Sequence, residues 1–379
     1  MTSMYRYLAV LLVILFLASV ARFYHPGLGF TALLGLPRGN DSETATFRSI
    51  PHYEYPRWAS YDGQFYVQRA LDPLVRDPEV DRAMDLAPFR ARRILFSWTA
   101  WLIGLGQPWW IVQVYALQNV VCWLVLAALL TYWIPPVSAR GLVLWGACLF
   151  SHGMLWSVRF ALLDGPSLLL IACAVLAAER GRRFGSAAVT GIAGLGRETN
   201  VLAILAQPIP RDRHAAVRLG IALLAAVLPT LIWYDYLRSI YRSTLLVGTD
   251  QLVLPGTALF AIWQRLLGAA SRDGLLSGTG LALALLLSLA VQAAYLVRAR
   301  EYARPWWRVA AGYAVLMLLL DQVLVNPNTG AITRALLPLT AGFNVLLAQE
   351  PRATRFWSWF VLGNLHLLSS GRVMPLVPW

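Results

Sequence analysis

The chain has 379 residues, 58% of them apolar and 13% charged, with a mean hydropathy of +0.57; soluble globular domains carry about 25% charged residues, so water is excluded as the main solvent. All 32 basic residues are arginine and the net charge is +13, but arginines flanking apolar runs are topology signals, and nucleic-acid binding is not what this charge means. Cys122, Cys148 and Cys173 lie in apolar stretches without paired spacing, which indicates neither a disulfide framework nor a metal site.

Helical runs of about 20 apolar residues cross a hydrocarbon core of ~30 Å, and such runs recur from Leu8 to Leu368. They are continuous rather than alternating, which selects a helical bundle over a barrel. Residues 7–21 form the first span, retained although Arg6 and Ala18-Ser19-Val20-Ala21 resemble a signal peptide. With the N-terminus in the cytoplasm, residues 22–93 lie outside. They hold nine of the 19 acids, and a loop of that length is functional rather than a connector.

Residues 94–106 are short for a crossing. A half-buried helix there, followed by spans at 109–133, 141–158 and 165–178, puts Arg140, Arg180, Arg182 and Arg183 inside, as the positive-inside rule requires. The Arg-rich breaks at 180–183 and 211–218 both prefer the cytoplasm, which one crossing over 185–207 cannot satisfy. Two short helices joined at Gly194-Leu195-Gly196-Arg197-Glu198 can, because glycine permits the turn. Spans near 217–235, 278–297, 309–325, 334–349 and 356–370 follow, and residues 255–268 read as an interfacial or buried helix. The expectation is an all-α polytopic membrane protein with about 11 transmembrane helices. Residues 1–379 form a single membrane domain, with juxtamembrane helices in a long first extracytoplasmic loop, 22–108.

This topology gathers Asp62, Arg93, Asp164, Arg197 and Glu198 at the outer face. Ionisable groups in or beside a bilayer are costly unless paired or used. The densest signal is Ser60-Tyr61-Asp62-Gly63-Gln64-Phe65-Tyr66, whose rings suit the membrane interface and can stack on a sugar. Plainer roles stand beside each candidate: helix capping for Asp62, an interfacial anchor for Arg93, an ion pair for Arg197, and capping ahead of Pro166 for Asp164. Neighbours on a helix do not face each other, so Arg197 and Glu198 take different partners. Asp321, Asn326 and Arg334 read as phosphate contacts or a structural ion pair. His52 and Glu54 read as an acceptor groove or solvated loop. The five histidines lack metal-ligand spacing.

The Tyr61-Asp62-Gly63-Gln64-Phe65-Tyr66 run resembles the Asp-Gly signature of bacterial GT-C superfamily membrane glycosyltransferases, including those similar to PIG-V mannosyltransferases. Three further pieces follow in order: Arg92-Arg93 opening the half-buried helix, Asp164-Gly165-Pro166, and Gly196-Arg197-Glu198-Thr199. The likeness covers residues 1–235, and 236–379 keep only a generic multispan pattern. It implies a GT-C type bundle in the bacterial inner membrane. The implied reaction transfers a sugar, with inversion, from a polyprenyl-phosphate donor to an extracytoplasmic glycan or lipid acceptor. On this match Asp62 is the general base and Asp164 a second acid. Arg93 and Arg197 meet the leaving phosphate, and Tyr61, Gly63, Gln64, Tyr66 and Glu198 complete the substrate site. The surrounding rings are expected to raise the pKa of Asp62. The first loop has a lone Asp-Gly, not the paired acids of the metal-dependent branch, so no divalent cation or other cofactor is expected. The rival reading is a secondary transporter or lipid-linked-sugar flippase, with the same charges lining a path.

Overall fold

The computed structural model describes residues 2–39, 42–55, 61–242, 253–274, 277–325 and 330–373; Ser60 and Asn326 lie outside them. Among these residues the protein is all-helical. After α1 (Thr2–Ala21), the long first loop carries α2 (Ala45–Arg48), α3 (Gly63–Leu71), α4 (Pro78–Arg82) and α5 (Ala87–Ala91), then α6 (Leu95–Ile103). Helices α7 (Pro108–Leu130), α8 (Ala139–Leu149), α9 (His152–Arg159), α10 (Asp164–Glu179) and α11 (Arg183–Gly194) precede a 3-10 helix, Glu198–Ala206. The remainder comprises α12 (Arg213–Tyr241), α13 (Thr257–Asp273), α14 (Gly278–Ala299), α15 (Pro305–Leu319), α16 (Gln322–Val325), α17 (Ala331–Ala335), α18 (Leu337–Leu347), α19 (Ala353–Gly363) and α20 (Leu367–Val373).

Four described helices are long and apolar enough to cross a bilayer: Ser3–Ala21, Pro108–Leu130, Arg213–Tyr241 and Gly278–Ala299. A fifth crossing arises if α8 and α9, bent by 45°, form one broken span. Residues 141–158, expected as one helix, divide because Ser151 stops α8 and caps α9 by accepting the Met154 N–H. Helix α6 has nine residues, about 14 Å at 1.5 Å per residue, too short to cross. It ends in a tight turn through Leu105 and Gly106, both at positive φ, and Pro108 starts α7 where the missing N–H costs nothing. The stretch 185–207 forms two short helices as the arginine pattern requires, and Asn200 Nδ2 donates to the Ala193 carbonyl at 2.9 Å across their junction.

The interior is apolar, with Phe16 stacked on Trp123 at 3.8 Å, and several of its buried polar groups bond across helices, where no water is at hand to satisfy them. Asn344 and Asn364 exchange amide hydrogen bonds at 3.1 Å, and Gln292 and Ser288 both donate to the Gly363 carbonyl.

Candidate active site

A cavity of about 260 Å³ opens between the long first loop, the start of α10, the junction before the 3-10 helix, and α16–α17. Its polar lining comes from chain segments far apart in sequence: Tyr61, Asp62, Tyr66, Asp85, Arg90, Arg93, Asp164, Arg197 and Arg334. Four guanidiniums therefore face three carboxylates, a cationic surplus of one.

Asp62 sits just before α3, yet its side chain makes no capping hydrogen bond. Instead Oδ1 accepts from Arg90 Nη2 at 3.0 Å. Oδ2 accepts no hydrogen bond among the described residues, and the side chain is 37% exposed. Gly63 is where this placement is decided, since a Cβ there would stand 2.2 Å from the Phe160 carbonyl oxygen and 3.0 Å from that of Leu34. Gly63→Ala is therefore expected to push α3 off α9, costing about 1–3 kcal/mol as an overpacked contact. Thermal unfolding in detergent measures this, and an unchanged melting temperature would refute the packing account.

Asp164 opens α10 and is held in place from behind. The Ser157 hydroxyl accepts the Gly165 N–H at 2.8 Å and donates to Asn119 Oδ1 at 3.0 Å, while Asn119 Nδ2 donates to the Leu162 carbonyl at 2.7 Å. The carboxylate is buried and both oxygens meet guanidiniums, Oδ1 with Arg197 and Oδ2 with Arg334 Nη1 at 3.0 Å. Arg334 extends its Nη2 to the Tyr61 hydroxyl at 2.6 Å, and Tyr61 is stacked on Phe160. Helix α17, which carries Arg334, is seated on α9 through Gly153, where a Cβ would meet the Thr333 carbonyl oxygen at 2.4 Å.

Arg93 donates Nε to Glu198 Oε2 at 2.9 Å, with its guanidinium 4.0 Å from the Phe89 ring centre. Glu198 also meets Arg92 Nε at 3.5 Å and the Tyr234 hydroxyl at 3.4 Å. Arg197 and Glu198 thus take separate partners, as their adjacency predicts. Arg90 bridges Asp62 and both oxygens of Asp85, and reaches the Tyr66 hydroxyl at 3.2 Å.

Of the sequence candidates, Tyr61, Asp62, Tyr66, Arg93, Asp164 and Arg197 line one cavity. Gly63, Gln64 and Glu198 do not: Gly63 makes room for a backbone contact, Gln64 is buried in α3, and Glu198 stands behind Arg93. Arg334, offered as a phosphate contact or ion-pair partner, is in the cavity, while Asp321 caps α16 by accepting the Leu324 N–H at 2.9 Å. His52 is buried beside Glu43 and Glu54 and is not part of the lining. Arg90 was missed. Three arginines fall within four positions at 90–93, and only the last two belong to the motif.

One electrostatic expectation reverses. Burial raises the Asp62 carboxyl, but the guanidiniums of Arg90 and Arg334 outweigh it and hold the group below its ordinary value. The charge partners together, rather than burial among the rings, decide the direction of its shift. Among the described residues no three His, Cys, Asp or Glu side chains converge as a metal-binding group.

No family model, curated protein or solved structure matches this chain.

Proposed function

We propose that the protein is a GT-C type membrane glycosyltransferase that moves a sugar from a polyprenyl-phosphate donor to a hydroxyl of an extracytoplasmic glycan or lipid. The observation that carries this reading is the state of the three cavity carboxylates. Asp85 and Asp164 have both oxygens engaged, whereas Asp62 keeps Oδ2 unengaged beside four guanidiniums. A base with a free lone pair next to a cationic cluster is what displacement of a phosphate by a hydroxyl needs.

In that reaction the acceptor oxygen attacks the anomeric carbon as its proton passes to Asp62 Oδ2. The bond from that carbon to the phosphate oxygen breaks, and its electron pair leaves with the lipid phosphate, which Arg93, Arg197 and Arg334 meet through forked N–H groups. Asp164 holds the last two arginines in register. A separate apolar groove of about 560 Å³ runs over α6, α7, α10 and α11 and is lined by Leu95, Phe96 and Pro166, close in sequence to Arg93 and Asp164. An isoprenoid chain fits its chemistry. The broken pair α8–α9, together with α10, α11, the 3-10 helix, α15, α18 and α19, each shorter than a full crossing, would bring the membrane-embedded segments to about 11, with the cavity facing away from the cytoplasm of a bacterial inner membrane.

Purified protein in detergent, given labelled polyprenyl-phosphate sugars and a panel of glycan acceptors, tests the reading. Movement of the lipid-linked sugar across vesicles with no transfer to any acceptor would favour the transporter instead. The titration of Asp62 supplies a sharper mark. Because its pKa is lowered, the base stays ionised at neutral pH, and the acid limb of kcat/KM falls below the ordinary carboxylate range. Arg90→Gln removes the leading cause of that lowering and leaves burial less opposed, so the limb moves to higher pH. An unmoved limb would mean that another group is the base.

A further inference from the structure

A second charged cleft lies at the start of α11, α12 and α15, a helix length of about 18 Å from the active-site end of α11. Its volume is about 600 Å³, and Arg183, Arg211, Arg218 and Arg308 line it. One carboxylate shares the cleft, Asp212, whose Oδ1 accepts the Ala215 N–H at 2.7 Å as the cap of α12. None of these four arginines makes an ion pair among the described residues, whereas Arg69, Arg90, Arg93, Arg197 and Arg334 all do. Arg308 is tied to the carbonyls of Leu205, Ala206, Tyr302 and Ala303 at 2.7–2.8 Å. Those bonds fix its guanidinium in the wall without neutralising it.

The cleft does not end in polar surface. Ile209 lines it, and Val217, Ile221, Leu224 and Leu228, spaced by four, three and four residues, form one exposed face of α12 leading away from Arg218. A free anion would use the arginines alone. A molecule with a phosphate at one end and hydrocarbon at the other uses both features.

We propose that this cleft binds the headgroup of an anionic phospholipid in the cytoplasmic leaflet, with its acyl chains along the apolar face of α12. Basic pockets between spans on that side suit such headgroups. The site is remote from the sugar-transfer cavity and does not depend on how that cavity works.

The test is native mass spectrometry of the full chain released from bilayers of equal phosphatidylglycerol and phosphatidylcholine, beside Arg211→Gln/Arg218→Gln. Both residues are exposed and neither belongs to the transfer site. The wild type is expected to retain phosphatidylglycerol selectively, and the double variant to lose that retention by roughly thirtyfold, at roughly fivefold per arginine. Phosphatidylglycerol should also raise the melting temperature of the wild type and not of the variant. Equal retention of the zwitterionic lipid, undiminished retention by a folded variant, or the same thermal rise from inorganic phosphate alone would each overturn the proposal. The last result would make this a soluble-anion site.

Discussion

Asp62→Asn should cut sugar transfer by ~10²–10⁴-fold, the range a positioned general base supplies, and the loss should fall on kcat rather than KM. The substitution is nearly isosteric and leaves Arg90 with Asp85, to which it donates at 2.7 and 2.9 Å, so the fold of the loop is expected to survive. What disappears is the Oδ2 lone pair that would take the acceptor's proton. An asparagine oxygen can still accept a hydrogen bond from that hydroxyl, which is why binding should be spared. The measurement is single-turnover transfer with the acceptor saturating, alongside a melting curve showing a folded variant. Turnover within threefold of wild type would remove Asp62 from the chemistry. A transporter would show no such split, since its rate does not require a proton to leave a hydroxyl.

The parts of this site that could be read from the sequence are those in which a local pattern fixes a local geometry. Asp62-Gly63 marks a place where backbone crowds backbone, and the Phe160 carbonyl supplies the crowding. The short length of residues 94–106 and the arginines on either side of 185–207 constrain topology directly, so the half-helix α6 and the two short helices before α12 were legible. The break between α8 and α9 was signalled only by Ser151-His152-Gly153, a short interruption in an otherwise apolar run. Arg90 was hidden because Arg90, Arg92 and Arg93 are chemically alike and only folding decides which one reaches Asp62. The lowered pKa of Asp62 was illegible for the same reason: the rings adjacent in sequence are visible, while Arg334 arrives from a segment over 270 residues away.

Asp164→Ala should be the most destabilising single change in the cavity. Removing one member of a buried ion pair costs about 3–5 kcal/mol, mostly because the surviving charge keeps its desolvation penalty and loses its counter-charge. Here one carboxylate serves two guanidiniums, Arg197 and Arg334, and is itself buried. Its loss would leave four arginines facing Asp62 and Asp85 alone. The expected result is a fall in melting temperature together with loss of transfer. Adding Arg334→Gln to Asp164→Ala should then cost less than Arg334→Gln costs alone, because the second change removes a charge that has become unfavourable. The double-mutant cycle measures that coupling, which falls in the range of about 0.5–3 kcal/mol for residues in contact. If the two changes simply add, Asp164 is not the counter-ion that holds Arg334. An anionic donor gives a further check: lipid phosphate entering the cavity of Asp164→Ala supplies the missing negative charge, so donor should raise the melting temperature of the variant more than that of the wild type. A thermal rise no larger than that of the wild type would show that the phosphate sits away from Arg197 and Arg334, and the assignment of these two arginines to the leaving group would fail.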